Sequence, residues 1–476
     1  MPDFGDHDIV GLAQLLDEGM VSPVELCRHF VDRVETLDPL LNAFLGWDPG
    51  PALEQARQAE DRRRMRRRIG LLDGIPIAVK DNIATHGLPT TAGSATHLSV
   101  GPDDATVVSA LRASGAVVFG KTNLPELAFG PADSYVFGPT RNPWDLSRYA
   151  GGSSMGSGAA VAAGLVPGAL GTDTTGSVRH PANWCGVVGL KPTYGLLPMS
   201  GVVPLAASLD HVGLLARSVR DCRVLLAAAQ ARPALPTESA VAPLGLRIGI
   251  ARIPSWDGLA GRVRDALEAA VDVYRFLGAT VVDVPLRGWD QAAIAAETIL
   301  AHEALGRYGP LLARGEDGFG PGLRANLVAA SDVTAQEYAD AIRFATVFGG
   351  ELTEVTRDLD VVLIPGRERV APHLDAAGRV LDDPVGVRCA APLNLTGWPA
   401  LALPCGFDEA GMPVGMQLAA RPWAEDLLLQ VGEAFQQATI WHHQRPLLAD
   451  VASTPTERAA LPCSVDNRAP QPDRPA

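Results

Sequence analysis

One stretch, Gly151 to Gly195 (GGSSMGSGAAVAAGLVPGALGTDTTGSVRHPANWCGVVGLKPTYG), constrains this chain more than any other. It carries two serine-bearing turns, Gly151-Gly152-Ser153-Ser154 and Asp173-Thr174-Thr175-Gly176-Ser177, joined by a run of small residues. The spacing predicts a tight, buried Ala/Gly helix over about residues 156–164, then a short strand that returns the second turn to the first. Glycine suits such turns because the backbone takes up conformations closed to residues with a Cβ. It also lets consecutive N–H groups point at a developing anion. This arrangement points to acyl transfer.

The chain has 476 residues and no internal linker, which predicts one large unit with elaborations. With 47% hydrophobic and 20% charged residues it has enough apolar side chains for a sizeable core in water. The net charge of −14 argues against nucleic acid as a partner, since phosphate binding needs clustered positive charge. The acidic N-terminus, MPDFGDHDIV, has no apolar signal core, and no run reaches the roughly eighteen apolar residues of a membrane span. The cysteines Cys27, Cys185, Cys222, Cys389, Cys405 and Cys463 are scattered without C-x-x-C spacing. Together these predict a cytoplasmic protein with no metal, no membrane and no nucleic acid. The sequence is compatible with a homodimer but does not set the oligomeric state.

Lysine is rare: among 40 basic residues only Lys80, Lys121 and Lys191 are not arginine. Arginine cannot lose its proton in a protein, whereas a desolvated lysine can, so each lysine is a candidate neutral amine. For Lys121 and Lys191 a loop or surface charge is the expected role.

In chain order, residues 1–70 read as an N-terminal helical segment, with Ser22-Pro23-Val24-Glu25 as a capping box. The Arg62–Arg68 run reads as a solvated helix face neutralised by Glu54, Glu60 and Asp61. Residues 71–452 form the expected core. Within it, a strand ends at Lys80, a helix over 104–113 precedes a strand at 116–119, and 246–284 reads as strand–helix–strand. Further strands are expected at 359–364 and 413–418, and a variable helical insertion over about 286–358. The aromatic loop 129–150 suits a binding wall, and 453–476 reads as a disordered tail.

Competing motifs are weak. Gly152-Ser153-Ser154-Met155-Gly156 matches G-x-S-x-G and nominates Ser154, but the preceding 142–150 is a poor strand. Asp210-His211 reads as a structural pair and His442-His443 as a surface feature. There is no H-E-x-x-H and no phosphate-loop Gly-Lys-Ser/Thr.

The residues Gly151–Ser154, Gly171–Arg179, Cys185–Gly195, the Gly74…Lys80-Asp81 segment and Asn394–Ala400 together resemble the amidase signature family. The likeness covers about residues 5 to 450 and implies an α/β fold, a large mixed twisted β-sheet sandwiched between layers of α-helices. It also implies a catalytic set of Ser177 as nucleophile, Ser153 as bridging serine after a cis Gly152–Ser153 peptide, and Lys80 as base, with no cofactor. A neutral Lys80 would take a proton from Ser153, and Ser153 one from Ser177. The N–H groups of Thr174, Thr175, Gly176 and Ser177 would hold the oxyanion. The resemblance further places the Ala128 carbonyl, with Phe129, toward substrate. Arg179 is a candidate carboxylate clamp, although loop hydrogen bonding is the better reading, and Asp173 braces the turn. Thr175 and Met155 stand where the family usually has glycine. Thr175 would distort the anion donors if its position required φ > 0, and Met155 is expected to shape the substrate pocket.

The function this implies is hydrolysis of a C–N bond in a small-molecule amide, aryl amide or carbamate. Phe129, Tyr135, Phe137, Trp184 and Trp398 favour an apolar or aryl group, and esters would use the same residues. The alternative is the glutaminase subunit of a tRNA-dependent amidotransferase. A non-catalytic binding protein is disfavoured by the intact Lys80, Ser153 and Ser177.

Overall fold

Valine, isoleucine and leucine concentrate in short runs bounded by glycine and proline, and in the computed structural model these runs become strands of one sheet. The structure describes residues 3–95, 101, 103–129, 135–232, 245–315, 318–381 and 387–448, so the expected tail lies outside the described residues. The strands are β1 (Phe44–Leu45), β2 (Pro76–Lys80), β3 (Val117–Thr122), β4 (Arg141–Asn142), β5 (Asp145–Tyr149), β6 (Gly168–Asp173) and β7 (Val188–Lys191). They continue with β8 (His211–Ala216), β9 (Arg247–Arg252), β10 (Thr280–Pro285), β11 (Val361–Pro365), β12 (Ala400–Phe407) and β13 (Pro413–Ala419).

The helices are α1 (Ile9–Asp17), α2 (Pro23–Leu41), α3 (Pro49–Arg64), α4 (Thr106–Ala113), α5 (Met155–Ala162), α6 (Arg179–Cys185) and α7 (Val219–Ala229). After them come α8 (Gly261–Phe276), α9 (Trp289–Arg314), α10 (Pro321–Ala330), α11 (Ala335–Val355), α12 (Ala391–Leu395) and α13 (Glu425–Ala438). Ser22 and Glu25 close a reciprocal capping box on α2, which satisfies two N–H groups that the first turn leaves unpaired.

Among the described residues eleven strands form one sheet in the order β1-β3-β2-β6-β8-β7-β12-β13-β11-β9-β10, an α/β fold with parallel and antiparallel pairs. β2 lies parallel to both β3 and β6, while β6, β8, β7, β12 and β13 pair antiparallel in turn. At the far edge β9, β10 and β11 are parallel again. Every residue of β2, β3, β6, β7 and β8 is buried, as expected of strands covered on both faces.

Two local expectations are corrected here. Residues 145–149 do form a strand, β5, paired with β4 in a separate two-stranded ribbon, so the approach to the first serine turn is ordered. The arginine run is neutralised mainly from a distance. Arg62 meets the buried Asp73 carboxylate, and Arg63 and Arg68 both meet Asp17. Of the expected partners, Glu60 and Asp61 pair with Arg64.

Candidate active site

The site stands where parallel β2 and β6 end side by side, the place where an open sheet leaves a crevice. Lys80 is the last residue of β2, and its side chain is fully buried. Its Nζ lies 2.8 Å from Ser153 Oγ, 2.9 Å from Thr172 Oγ1 and 3.4 Å from the Thr172 carbonyl. A neutral amine has two N–H donors and one lone pair. The two Thr172 oxygens take the donors, which leaves the lone pair for the Ser153 hydroxyl. Burial pushes the Lys80 ammonium down to about 7, and nearby Asp173 and Asp210 only partly oppose this.

The second turn is built on Asp173, the last residue of β6. Its carboxylate accepts from Gly176 N (2.7 Å), Val178 N (3.1 Å), Asn394 Nδ2 (2.8 Å) and the Arg179 guanidinium (3.0 Å to each oxygen). Burial would raise this carboxyl, but Arg179 beside it holds it well below the usual range. The remaining Arg179 donors reach Ala390 O, Gln417 Oε1 and Asn394 Oδ1. The two serine turns are tied directly by Ser154 N donating to Ser177 O at 3.0 Å. The Gly152–Ser153 peptide is cis.

Gly176 has φ +125°, and the space its Cβ would need is filled by the His180 ring, so only glycine fits. Thr175 is not among the residues with positive φ; the left-handed demand falls on Gly176 instead. Of the four N–H groups assigned to the anion, that of Gly176 is already committed to Asp173 and is occupied there. Those of Thr174, Thr175 and Ser177 carry no hydrogen bond among the described residues. Thr174 Oγ1 donates to Asp210 at 2.7 Å, and burial raises that carboxyl to about 6.

Ser153, Ser177, Thr174 and Thr175 line the floor of a cavity of about 730 Å³. Its walls include Ala128, Phe129, Tyr149, Trp184, His180 and Arg367. Its roof comes from α9 (Glu297, Leu300, Ala301) and α10 (Asn326, Ala329, Ala330). Met155 and Arg179 do not line it: both are fully buried, Met155 in the first turn of α5 and Arg179 under the Asp173 turn. Ser154 points into the protein, where its Oγ donates to Thr172 O at 3.1 Å. Tyr135, Phe137 and Trp398 also lie outside the lining.

Lys121 and Lys191 are buried, contrary to the expected surface role. Lys121 Nζ ties Ile83 O (2.5 Å), Thr90 Oγ1 (2.7 Å) and Asp81 (3.5 Å), and burial lowers it to about 8. Lys191 Nζ meets His211 Nε2 at 3.1 Å and Pro192 O at 3.0 Å. His211 thus pairs with Lys191 and the Leu209 carbonyl, not with Asp210.

Sequence reasoning missed His180, Arg367, Glu297 and Asn326. His180 follows Arg179 inside the motif and was within reach. The other three arrive from segments with no motif, and only the fold brings them in.

The family model described as Amidase matches residues 25–429. A glutamyl-tRNA(Gln) amidotransferase subunit of Chloroflexus aurantiacus is 39% identical, over 93% of this chain and 99% of its own length. A solved structure described as "Crystal structure of amidase" has a TM-score of 0.83 at 33% identity, covering 90% of this chain and 99% of that one. The corresponding glutamyl-tRNA(Gln) amidotransferase subunit of Thermotoga maritima gives a TM-score of 0.77 at 29% identity, covering 94% and 98%.

These relatives overturn the expectation of a small-molecule partner alone with nucleic acid excluded. They are subunits of an enzyme named for a transfer RNA, and similarity to them runs along nearly the whole chain. The net charge of −14 sums one chain's surface and says nothing about an assembly in which another chain meets the nucleic acid. Among the described residues no helix is long and apolar enough to cross a membrane. A match over most of the length, carried on the same mixed sheet, places the chain in the amidase family.

Proposed function

We propose that the chain cleaves a C–N amide bond through an acyl-enzyme on Ser177, with Lys80 and Ser153 relaying the proton. The observation that carries this is the buried Lys80 amine, 2.8 Å from Ser153 Oγ and lowered to about 7. Lys80 takes the Ser153 proton as Ser153 takes that of Ser177, and Ser177 Oγ attacks the carbonyl carbon. Thr174, Thr175 and Ser177 N–H groups stabilise the oxyanion, each worth about 3–4 kcal/mol when aimed at it. Ser153 returns the proton to the departing nitrogen, and water then releases the acid.

The curated relatives favour the side-chain amide of glutamine as substrate, with this chain as the glutaminase subunit of a tRNA-dependent amidotransferase. One observation supports a second reading, a free-standing amidase of larger amides. The cavity lies in the range of about 300–1,000 Å³ that accepts drug-sized ligands, and Phe129, Leu205, Leu300 and Val380 make much of its wall apolar. Ammonia release from glutamine and turnover of simple aryl amides, measured on the purified chain with and without partner subunits, separate the two. Glutamine turnover that rises on adding partners supports the amidotransferase reading. Aryl-amide turnover exceeding that of glutamine, without partners or ATP, replaces it with the second reading. Turnover of either substrate surviving in Ser177→Ala overturns the nucleophile.

A further inference from the structure

The turn of residues 204–210 is bonded both to the roof of the cavity and to its floor. Toward the roof, α9 holds it at two points. Tyr308 Oη donates to Pro204 O at 2.6 Å, and the Glu303 carboxylate accepts from Ser208 Oγ (2.5 Å) and Ser208 N (3.1 Å). Tyr338 of α11 donates to the same carboxylate at 3.2 Å. Toward the floor the turn ends in the buried Asp210. One of its oxygens accepts from Leu205 N (2.8 Å) and Ala206 N (3.1 Å), which closes the turn on itself. The other accepts from Thr174 Oγ1 at 2.7 Å. Thr174 is the first residue after β6, in the turn that carries Ser177, and its N–H is among those left for the oxyanion.

Among the described residues no cation pairs with Asp210, whereas Asp173, the other carboxylate near Lys80, is matched by Arg179. A buried carboxylate held by neutral donors alone costs free energy, so its retention here points to a use for the charge. The titratable groups facing it are Glu303 and Tyr308 from α9 and Lys80 from the end of β2. His211, next in the chain, turns its ring to Lys191 and the Leu209 carbonyl. Lys80 is therefore the one base in this group whose charged form Asp210 favours.

We propose that Asp210 is a positioning residue for the serine relay: its bond to the Thr174 hydroxyl fixes the anion-binding turn, and its charge acts on Lys80. The proposal rests on the amide-cleaving reading above and adds a residue that touches neither substrate nor the reacting atoms.

Two substitutions separate shape from charge. Asp210→Asn removes the charge and keeps the shape, since the amide oxygen accepts from Leu205 N and Ala206 N while its NH2 meets Thr174 Oγ1. Thr174→Val removes the hydroxyl and leaves the carboxylate. The readout is the rate at which phenylmethylsulfonyl fluoride labels Ser177, followed by mass spectrometry across pH, beside turnover of glutamine and of an aryl amide. In labelling, Ser177 Oγ bonds to sulfur, fluoride leaves, and the serine proton passes through Ser153 to Lys80. Without the carboxylate the Lys80 ammonium loses a favourable neighbour, so Asp210→Asn is expected to move the acid limb of labelling to lower pH. A role in folding alone would lower the urea midpoint and leave the limb in place. Thr174→Val is expected to slow labelling and kcat by about tenfold or more with little change in KM, and Thr174→Ser to restore most of the loss.

An unmoved limb in Asp210→Asn, or labelling of Thr174→Val at the wild-type rate, overturns the proposal, and wild-type turnover then keeps the hydrolytic reading intact. Should Asp210→Asn fail to fold, Thr174→Val and Thr174→Ser decide. If neither amide is turned over but both variants label as expected, the hydrolytic reading fails and the role of Asp210 stands. A wild-type chain that neither labels nor turns over either amide overturns both.

Discussion

The floor and the roof of the cavity are made of different material. The floor is backbone and small side chains from two turns, one after β5 and one after β6, held by dense hydrogen bonding: Asp173 alone accepts from Gly176, Val178, Arg179 and Asn394. The roof is two helices, α9 and α10, that present Leu300, Ala301, Ala329 and Ala330 with one acid and one amide. On the proposed function, chemistry that needs sub-ångström placement would sit on the part that cannot move independently, and substrate selection would be left to side chains whose exchange disturbs little else. The comparison predicts that floor substitutions change kcat or folding, and roof substitutions change KM.

The largest effect is expected at the reacting groups. Ser177→Ala and Lys80→Met should each lower kcat by about 10⁴-fold or more while the urea midpoint stays near that of the wild type. A roof substitution with an equal loss in kcat would break the comparison. Next comes the brace. Arg179→Met strips the buried Asp173 carboxylate of its counter-charge, and removing one partner of such a pair costs about 3–5 kcal/mol, read as a lower urea midpoint.

The pH profile sharpens the point, because the proposed mechanism needs Lys80 in its neutral form. Activity should therefore climb about tenfold per pH unit below about 7, as the ammonium loses its proton, and level off above it. A plateau already reached at a pH of about 5 would mean that Lys80 is not the base. The smallest effect belongs to the roof. Leu300→Ala should shift KM for apolar amides by about tenfold, the scale of losing methylene contacts in a pocket, with the pH profile unmoved.

How much could be read from residues alone follows the same division. The strand ending at Lys80, the strand–helix–strand from β9 to β10 and the small-residue helix α5 are local patterns of period or composition, and they appear near their expected positions. β5 escapes a reading from residues because Asp145, Ser147 and Arg148 lack an apolar alternation; it is held by β4 and by a bridge from Arg148 to His373, far along the chain. β7, β8 and β12 escape it too, since glycine and proline interrupt their apolar runs while their neighbours in the sheet hold them extended. The rarity of lysine marks all three positions as unusual, but which one stands beside a serine, and which merely ties a strand end as Lys121 does, required knowing the neighbours.

What the amino-acid order settled unaided is the family, the mixed α/β class and the two serine turns, because these depend on contiguous residues whose backbone needs are written locally. What waited for the folded chain is the company each group keeps. That includes Thr172 beside Lys80, Asp173 claiming the Gly176 N–H, Arg179 turned away from substrate, and Arg367 carried nearly two hundred residues along the chain to face Ser177. Charge, burial and hydrogen bonding act through space, and separation along the chain carries no record of distance in the fold.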